Sequence, residues 1–244
     1  MRWWLAAGLT LWAGCLSAAE IVSARYLGET SRYPHGALGD DIEYTTLEVT
    51  LSDGRRLSAE WPAGMVFEDT APRLGDITED PGPELVTIES SASHGARLAI
   101  WGLRDGALQP LVTGPFIGQS FRWLAPVAWQ DLDGDGSVEI AWIDRPHLAK
   151  TLRIWQIDGD GLREMAQMSD LTNHRYGETQ ISGGVRDCGQ GPEMILANGN
   201  WSQLIAVRYN QGQLQRRVLP TNPGPKPLTA AMTAALSCEL GAKD

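Results

Sequence analysis

An acidic loop in the middle of the chain has the residue types and spacing of a calcium ligand set. In the segment DLDGDGSVE, which begins at residue 131, acidic side chains occupy positions 1, 3, 5 and 9. Calcium takes six to eight oxygen ligands, and a glycine at position 6 permits the sharp turn that such a loop needs. The sequence therefore predicts calcium as the cofactor. The predicted ligands are Asp131, Asp133, Asp135, Ser137 and Glu139.

The loop differs from an EF-hand in two respects. Trp142 stands where an EF-hand has its bidentate glutamate, and the flanking segments alternate as strands do rather than repeating as helices do. The alternative interpretation is an acidic turn that binds no metal. The two interpretations differ in whether the loop holds an ion, and both place it between two strands.

Two other segments align with this loop and show that the chain is a repeat. They are PRLGDITEDPGPELVTIES from Pro72 and GGVRDCGQGPEMILANGN from Gly183, beside PVAWQDLDGDGSVEIAWID from Pro126. The leading aspartates of the three loops, Asp76, Asp131 and Asp187, are 55 and 56 residues apart. A fixed spacing of this size is typical of a stacked or radial array of small sheets.

The other two loops depart from the calcium pattern. The first keeps Asp76, Asp80 and Glu84 but has Thr78 at the third position, so it is a weaker second candidate for a metal. The third loop is shorter and has lost two carboxylates, so we expect it to bind no ion.

Each repeat continues with short apolar runs separated by turns rich in Gly, Asp and Asn, which predicts four short strands per unit. We predict an all-β fold, either a small β-propeller of about four blades or a partly open, propeller-like array. A divergent first blade would cover residues 20–70, and repeats would cover 71–124, 125–180 and 181–222. An Ala- and Leu-rich segment within 227–244 predicts a short C-terminal helix and tail.

The N-terminus and the cysteines indicate export. Residues 1–19 have an early arginine, an apolar run and small residues before Glu20, which predicts a cleaved signal peptide. Lipidation at Cys15 is the alternative. Cleavage leaves Cys188 and Cys238, which predict one disulfide in an oxidising compartment, with two free thiols as the alternative. The expected location is the periplasm or the outside of the cell.

Composition and motifs exclude several functions. The net charge of −10 argues against nucleic acid as a partner, because no general positive field would attract it. Outside the N-terminus, no apolar run approaches the length of a transmembrane helix. The chain contains none of the common hydrolase, metalloprotease or phosphate-loop motifs, which favours a binding protein over an enzyme.

Histidines and arginines in loops predict a second site at the end of the fold opposite the acidic loops. These loops join the second and third strands or connect successive repeats. Such a face suits an anionic ligand, or a metal if the imidazoles converge. The alternative is that these side chains only cap turns and pair with nearby carboxylates. The candidate ligand-face residues are His94, Arg122, Arg145, His147, His174 and Arg175, with Arg97 and Lys150 close by.

The Asp-x-Asp-x-Asp-Gly loop between two strands resembles the FG-GAP and VCBS repeat families over roughly Pro72 to Pro220. The resemblance implies a bacterial exported protein with a β-propeller fold and calcium ions that stiffen the blades. It implies a binding or scaffold module whose partner, a protein, glycan or anionic ligand, is not specified. The alternatives are a hydrolase or lyase acting on an anionic or carbohydrate substrate at the His/Arg face, and a structural component of the cell envelope.

Overall fold

The computed structural model describes residues 19–78, 82–220 and 228–240 of the 244-residue chain. The predicted signal peptide with Cys15, and Asp80 of the first acidic loop, lie outside the described residues, apart from Ala19. The strands are β1 Ile21–Thr30, β2 Glu43–Leu51, β3 Arg56–Glu60, β4 Met65–Phe67, β5 Arg73–Gly75, β6 Glu84–Ser91, β7 Gly95–Arg104, β8 Ala107–Thr113, β9 Leu124–Gln130, β10 Glu139–Asp144, β11 Thr151–Asp158, β12 Gly161–Ser169, β13 Leu171–Thr172, β14 Gly184–Asp187, β15 Pro192–Asn198, β16 Leu204–Asn210 and β17 Gln213–Leu219. The helix is α1 Leu228–Leu236. The predicted all-β class with a short C-terminal helix is confirmed.

The described strands form three antiparallel sheets of eight, four and five strands. The middle repeat is the simplest, because β9, β10, β11 and β12 pair in chain order as a four-stranded meander. In the last repeat β15, β16 and β17 pair in the same way. Strands β6 and β10 are buried along their whole length and β15 along all but its first residue, as expected for strands covered on both faces.

The first two predicted units are joined rather than separate. Residues 20–70 contribute β1 to β4, and β4 pairs with both β2 and β6, so these strands and the repeat over 71–124 form one eight-stranded sheet. The strands of the divergent first blade expected over 20–70 are thus continuous with those of the next repeat. The physical reason is that β4 pairs with β6. Met65, Val66 and Phe67 occupy the positions beside β6 that would otherwise belong to the innermost strand of the repeat over 71–124.

The innermost strand of two repeats is broken in the middle. Along β6, β4 pairs with one half and β5 with the other, and along β15, β13 and β14 divide the edge in the same manner. In the middle repeat β9 is continuous, with only a bulge opposite Ala141 and Trp142. The breaks at residues 68–72 and 173–183 leave the sheet and carry polar side chains into the interior.

The sheets pack through their inner strands. Gly75 lies against Trp129 of the next sheet, where an added Cβ would be 2.5 Å from the indole Cδ1 atom. The Trp129 Nε1–H donates to the Leu74 carbonyl oxygen at 3.0 Å. A side chain larger than hydrogen at position 75 would separate these two strands, so close packing at this point requires glycine.

Helix α1 covers the outside of the last sheet. Met232 and Ala235 are buried against strands β15 and β16. Arg186 is buried below the helix and donates to the Ala235 carbonyl oxygen at 2.7 Å, which satisfies a backbone group at the helix C-terminus. The predicted Cys188–Cys238 disulfide is present and ties the segment after the helix to the third acidic loop.

Removal of this disulfide is expected to lower the free energy of unfolding by about 2–4 kcal/mol, because it closes a long loop in the unfolded chain. The change is Cys188→Ser with Cys238→Ser, measured by urea unfolding with and without reductant. Reductant should destabilise the native protein and leave the double variant unchanged. A native protein indifferent to reductant would contradict the expectation.

Candidate functional site

The acidic loop of the middle repeat brings three carboxylates together. One oxygen atom from each of Asp131, Asp133 and Glu139 lies within 4.8 Å of the others. Asp135 does not belong to this group, and its carboxylate instead accepts the Ser137 N–H at 2.7 Å. The structure thus brings together three of the four predicted carboxylate ligands.

The local sequence explains how the loop is held. Asp131 accepts the N–H groups of Gly134 at 2.6 Å and Gly136 at 3.0 Å, and both glycines have positive φ angles of 81° and 89°. The pKa of Asp131 is lowered: desolvation acts to raise it, but is outweighed by these backbone N–H donors. The Asp131 carboxylate at the centre of the loop is therefore ionised at neutral pH.

Asp133 extends the loop to another sheet. Its Oδ2 atom accepts the backbone N–H of Gln211 at 2.8 Å, and Gln211 lies in the turn between β16 and β17. The donor set of the loop consists only of oxygen atoms, which fits a hard cation such as calcium rather than a soft metal. An ion held here would stiffen both the loop and the contact between two sheets.

Glu139 is buried and has a role in closing the loop. Its Oε2 atom accepts the Leu132 N–H at 2.7 Å, and its Oε1 atom accepts Nε2–H of Gln156 at 2.5 Å. Burial raises the pKa of this carboxyl above its ordinary value. Any cation would therefore share Glu139 with these two donors.

The first acidic loop uses its glutamate in the same way. Glu84 accepts the N–H groups of Ile77 at 2.9 Å and Thr78 at 3.1 Å, together with the Thr78 hydroxyl at 2.6 Å. The threonine that replaces an aspartate at position 3 thus donates to the glutamate. Asp80 lies outside the described residues, so the geometry of the second candidate loop is given only for Asp76 and Glu84.

At the other end of β9 and β10 lies a small cleft of about 160 Å³. Arg122 and Trp123 precede β9, whereas Arg145 and His147 follow β10, so the antiparallel pairing of these strands brings both pairs to one end. The strands are about 20 Å long, which separates the cleft from the acidic loop. The cleft is lined by His35, Phe121, Arg122, Trp123, Arg145, Pro146, His147, Leu148 and Tyr176.

A chain of hydrogen bonds sets the tautomers of two histidines. The Glu178 carbonyl oxygen can only accept, so Nε2 of His174 donates to it at 2.8 Å. The Nδ1 atom of neutral His174 then accepts from Nε2 of His147 at 2.9 Å. Burial lowers the pKa of His174 and lowers that of His147 to about 4, with a smaller contribution from repulsion whenever His174 is protonated. His147 is therefore neutral, with an unprotonated Nδ1 that has no partner among the described residues.

A third histidine, His35, lies in the loop between β1 and β2 and lines the cleft. Its Nδ1 atom hydrogen-bonds to Oε1 of Glu68, whose Oε2 accepts the Ser90 hydroxyl. Glu68 is fully buried, and burial raises its pKa despite the bonds from His35 and Ser90. The Nε2 atom of His35 has no partner among the described residues and is left for a ligand of the cleft.

Sequence reasoning missed His35 because the segment from 20 to 70 has no acidic loop and was assigned to a divergent blade. One local signal was present: His35 lies in an irregular stretch with Gly36, Gly39 and Tyr33, between two strand-like runs. The contact with Glu68 is between residues 33 apart. It depends on the break between β4 and β5 and cannot be read from the spacing of residues.

The interior behind Glu68 holds two more acidic side chains. Burial, reinforced by the nearby Glu68, raises the pKa of Glu43 to about 10. Burial also raises the pKa of Asp69 to about 6, although Arg73 opposes this with a hydrogen bond of 2.6 Å. Glu43 is therefore protonated at neutral pH, because a second charge beside Glu68 would cost too much.

The predicted ligand-face residues are only partly assembled. Arg122, Arg145 and His147 line the cleft, and His174 lies behind His147. His94 lies elsewhere, with its Nδ1 atom 2.8 Å from the Ser93 hydroxyl, and Arg175 packs over Trp201 at 3.8 Å. The neighbouring cations are engaged as well, since Arg97 pairs with Glu89 and Lys150 donates to the Gly199 carbonyl oxygen.

A larger cavity of about 370 Å³ follows the inner strands β9 and β14. Among the described residues that line it, Arg73 is the only charged one, and it pairs with Asp69. The cavity therefore offers backbone and amide groups but no unpaired charge to a ligand. The cleft at His35 and His147 has the richer chemistry.

Comparison with known proteins gives no family assignment. No family model matches the sequence, and no curated protein matches it. One similar solved structure is that of a protein from Bacteroides uniformis assigned provisionally as a 6-phosphogluconolactonase. It is 15% identical, covers 82% of this chain and 68% of its own, and has a TM-score of 0.33. A likeness this distant carries no conclusion about activity. Within the described residues, no helix has the length and apolarity needed to cross a membrane.

The buried Glu43 predicts a pH dependence of stability. Its pKa rises from 4.5 to about 10 on folding, so above pH 4.5 the folded protein keeps a proton that the unfolded chain releases. Its contribution to stability is full at acid pH and declines as pH rises towards 10, by at most about 1.4 kcal/mol per pH unit. Glu43→Gln should flatten the decline in the free energy of unfolding between pH 6 and 9.

Urea unfolding at several pH values measures this slope, with exposed Glu29→Gln as the control that should follow the native profile. Parallel profiles for the native protein and Glu43→Gln would show that Glu43 is already ionised in the folded state.

Proposed function

We propose that this protein is an exported, calcium-braced binding module of the FG-GAP/VCBS repeat type, acting in the periplasm or outside the cell. The observation that carries the proposal is the convergence of Asp131, Asp133 and Glu139 in a loop that also contacts another sheet through Gln211. A cation there would neutralise three clustered carboxylates and hold two sheets in a fixed relation.

Two further observations support the proposal. The Cys188–Cys238 disulfide suits an oxidising compartment and therefore supports export. The cleft at the opposite end supplies a concave surface with aromatic, imidazole and guanidinium groups, as binding sites do. In this proposal the ion stiffens the fold at one end and the partner binds at the other.

Calcium is expected to raise the thermal unfolding midpoint of residues 20–244 by several degrees relative to chelator, because an ion that binds only the folded state stabilises it by mass action. Asp133→Ala should abolish the rise. Asp160→Ala removes the same charge from the exposed turn between β11 and β12 and should retain it. Identical midpoints for the native protein in calcium and in chelator would refute the calcium proposal.

The bond between Glu68 and His35 favours a second candidate function, a hydrolase acting on an anionic or carbohydrate substrate. A buried carboxylate that orients a histidine at a cleft is the usual arrangement of a general base. In such a reaction Nε2 of His35 would take a proton from water as the water attacks, and return it to the leaving group.

This candidate is tested with 4-nitrophenyl glycosides, esters and phosphates between pH 5 and 9. If the protein is a hydrolase, His35→Gln should lower kcat by about 10²-fold or more, whereas His94→Gln should not change it. Absence of turnover of all three substrate types by the native protein would leave the binding module as the function.

A further inference from the structure

The cleft exposes apolar side chains that a folded protein usually covers. Phe121, Leu148 and Tyr176 are 42%, 63% and 62% exposed, and they are three of the seven large hydrophobic side chains exposed among the described residues. Phe121 and Arg145 also have positive φ angles of 55° and 47°, which cost energy in residues other than glycine. Exposed apolar groups and strained backbone at one small cleft indicate a ligand site.

The size and walls of the cleft suit one ring. A cavity of about 150 Å³ holds a molecule the size of benzene, and this cleft measures about 160 Å³. The ring of Trp123 lies roughly parallel to His147 with centroids 6.3 Å apart, and Tyr176 meets His147 edge-on at 5.3 Å. Trp123 is buried and backs His147, whereas the exposed rings of Phe121 and Tyr176 offer flat surfaces to the apolar face of a ring.

The charges of the cleft favour a ligand with one acidic group. Arg145 is neutralised by a two-bond contact with Asp144. The Arg122 guanidinium donates to the Phe121 carbonyl oxygen at 2.8 Å and has no carboxylate partner in the part of the chain that the structure describes. This guanidinium can pair with a carboxylate of a ligand in bidentate fashion.

The histidines call for hydroxyl groups. His147 offers an unprotonated Nδ1 atom, as the tautomers set by the Glu178 carbonyl require. The Nδ1 atom of His35 is hydrogen-bonded to Glu68, which leaves its Nε2 atom for a ligand. A hydroxyl group both donates and accepts, and it can satisfy either imidazole.

We propose that the cleft binds an acidic monosaccharide of the uronate type, with its carboxylate on Arg122, its hydroxyl groups on His35 and His147, and its ring against the exposed aromatic side chains. This inference deepens the proposed function by naming the ligand class of the binding module, and it rests on that function.

The test is a calorimetric titration with sodium glucuronate at low salt, beside glucose, which lacks the charge, and benzoate, which lacks the hydroxyl groups. Glucuronate should bind with a millimolar or lower Kd and should bind at least about tenfold more tightly than either comparison compound. Arg122→Gln should weaken glucuronate binding about tenfold. Arg104→Gln removes an exposed arginine at the end of β7 and should not change glucuronate binding.

A further pair of variants tests the hydroxyl contacts, with His35→Gln expected to weaken glucuronate binding and His94→Gln expected to leave it unchanged. Three results would each overturn the proposal: no saturable binding of glucuronate up to about 20 mM, equal affinity of Arg122→Gln and the native protein, or equal affinity for benzoate and glucuronate. The calcium-dependent rise in unfolding midpoint is measured on the same samples. If one of these three results is obtained and calcium still raises the unfolding midpoint, the ligand class is wrong and the calcium-braced module stands.

Discussion

A buried glutamate at the start of the second strand of each repeat is the interaction on which the arrangement of the loops depends. Glu84 and Glu139 each accept backbone N–H groups of the acidic loop that precedes them, and Glu193 pairs instead with buried Arg186. The carboxylate replaces backbone partners that the loop loses when the chain leaves the sheet. In the first two of the three repeats this glutamate thereby sets how the loop leaves one strand and enters the next.

The two candidate sites depend on different departures from a regular sheet. The acidic loop follows from an uninterrupted pair, β9 and β10, whose ends carry it beyond the sheet. The cleft depends on the broken inner strand of the neighbouring repeat, because the break after β4 places Glu68 inside, where it meets His35. Trp123, which directly precedes β9, links the middle repeat to this break, because its Nε1–H donates to the Glu68 carbonyl oxygen at 2.7 Å.

Charge is distributed unevenly between these sites and the interior. The acidic loop concentrates negative charge at the surface, where water can solvate it or a cation can neutralise it. Glu43 and Glu68 lie inside. Glu43 keeps its proton and Glu68 is hydrogen-bonded to a histidine, because an unpaired buried charge is too costly. The buried acids therefore lower stability at high pH, and one of them, Glu68, holds His35 in place at the cleft.

The sequence by itself determined the all-β class, the helix at the C-terminus, the cysteine pair and the position of the acidic loop, because these follow from local periodicity and from residues close together in the chain. It also placed Arg122, Arg145 and His147 at one end of the fold, since antiparallel strands return the chain to the same edge. Only the tertiary structure decided that residues 20–70 extend a neighbouring sheet and that His35 meets Glu68. Those features arise from long-range strand pairing, which depends on which edges are free in the folded protein and leaves no periodic trace in the sequence.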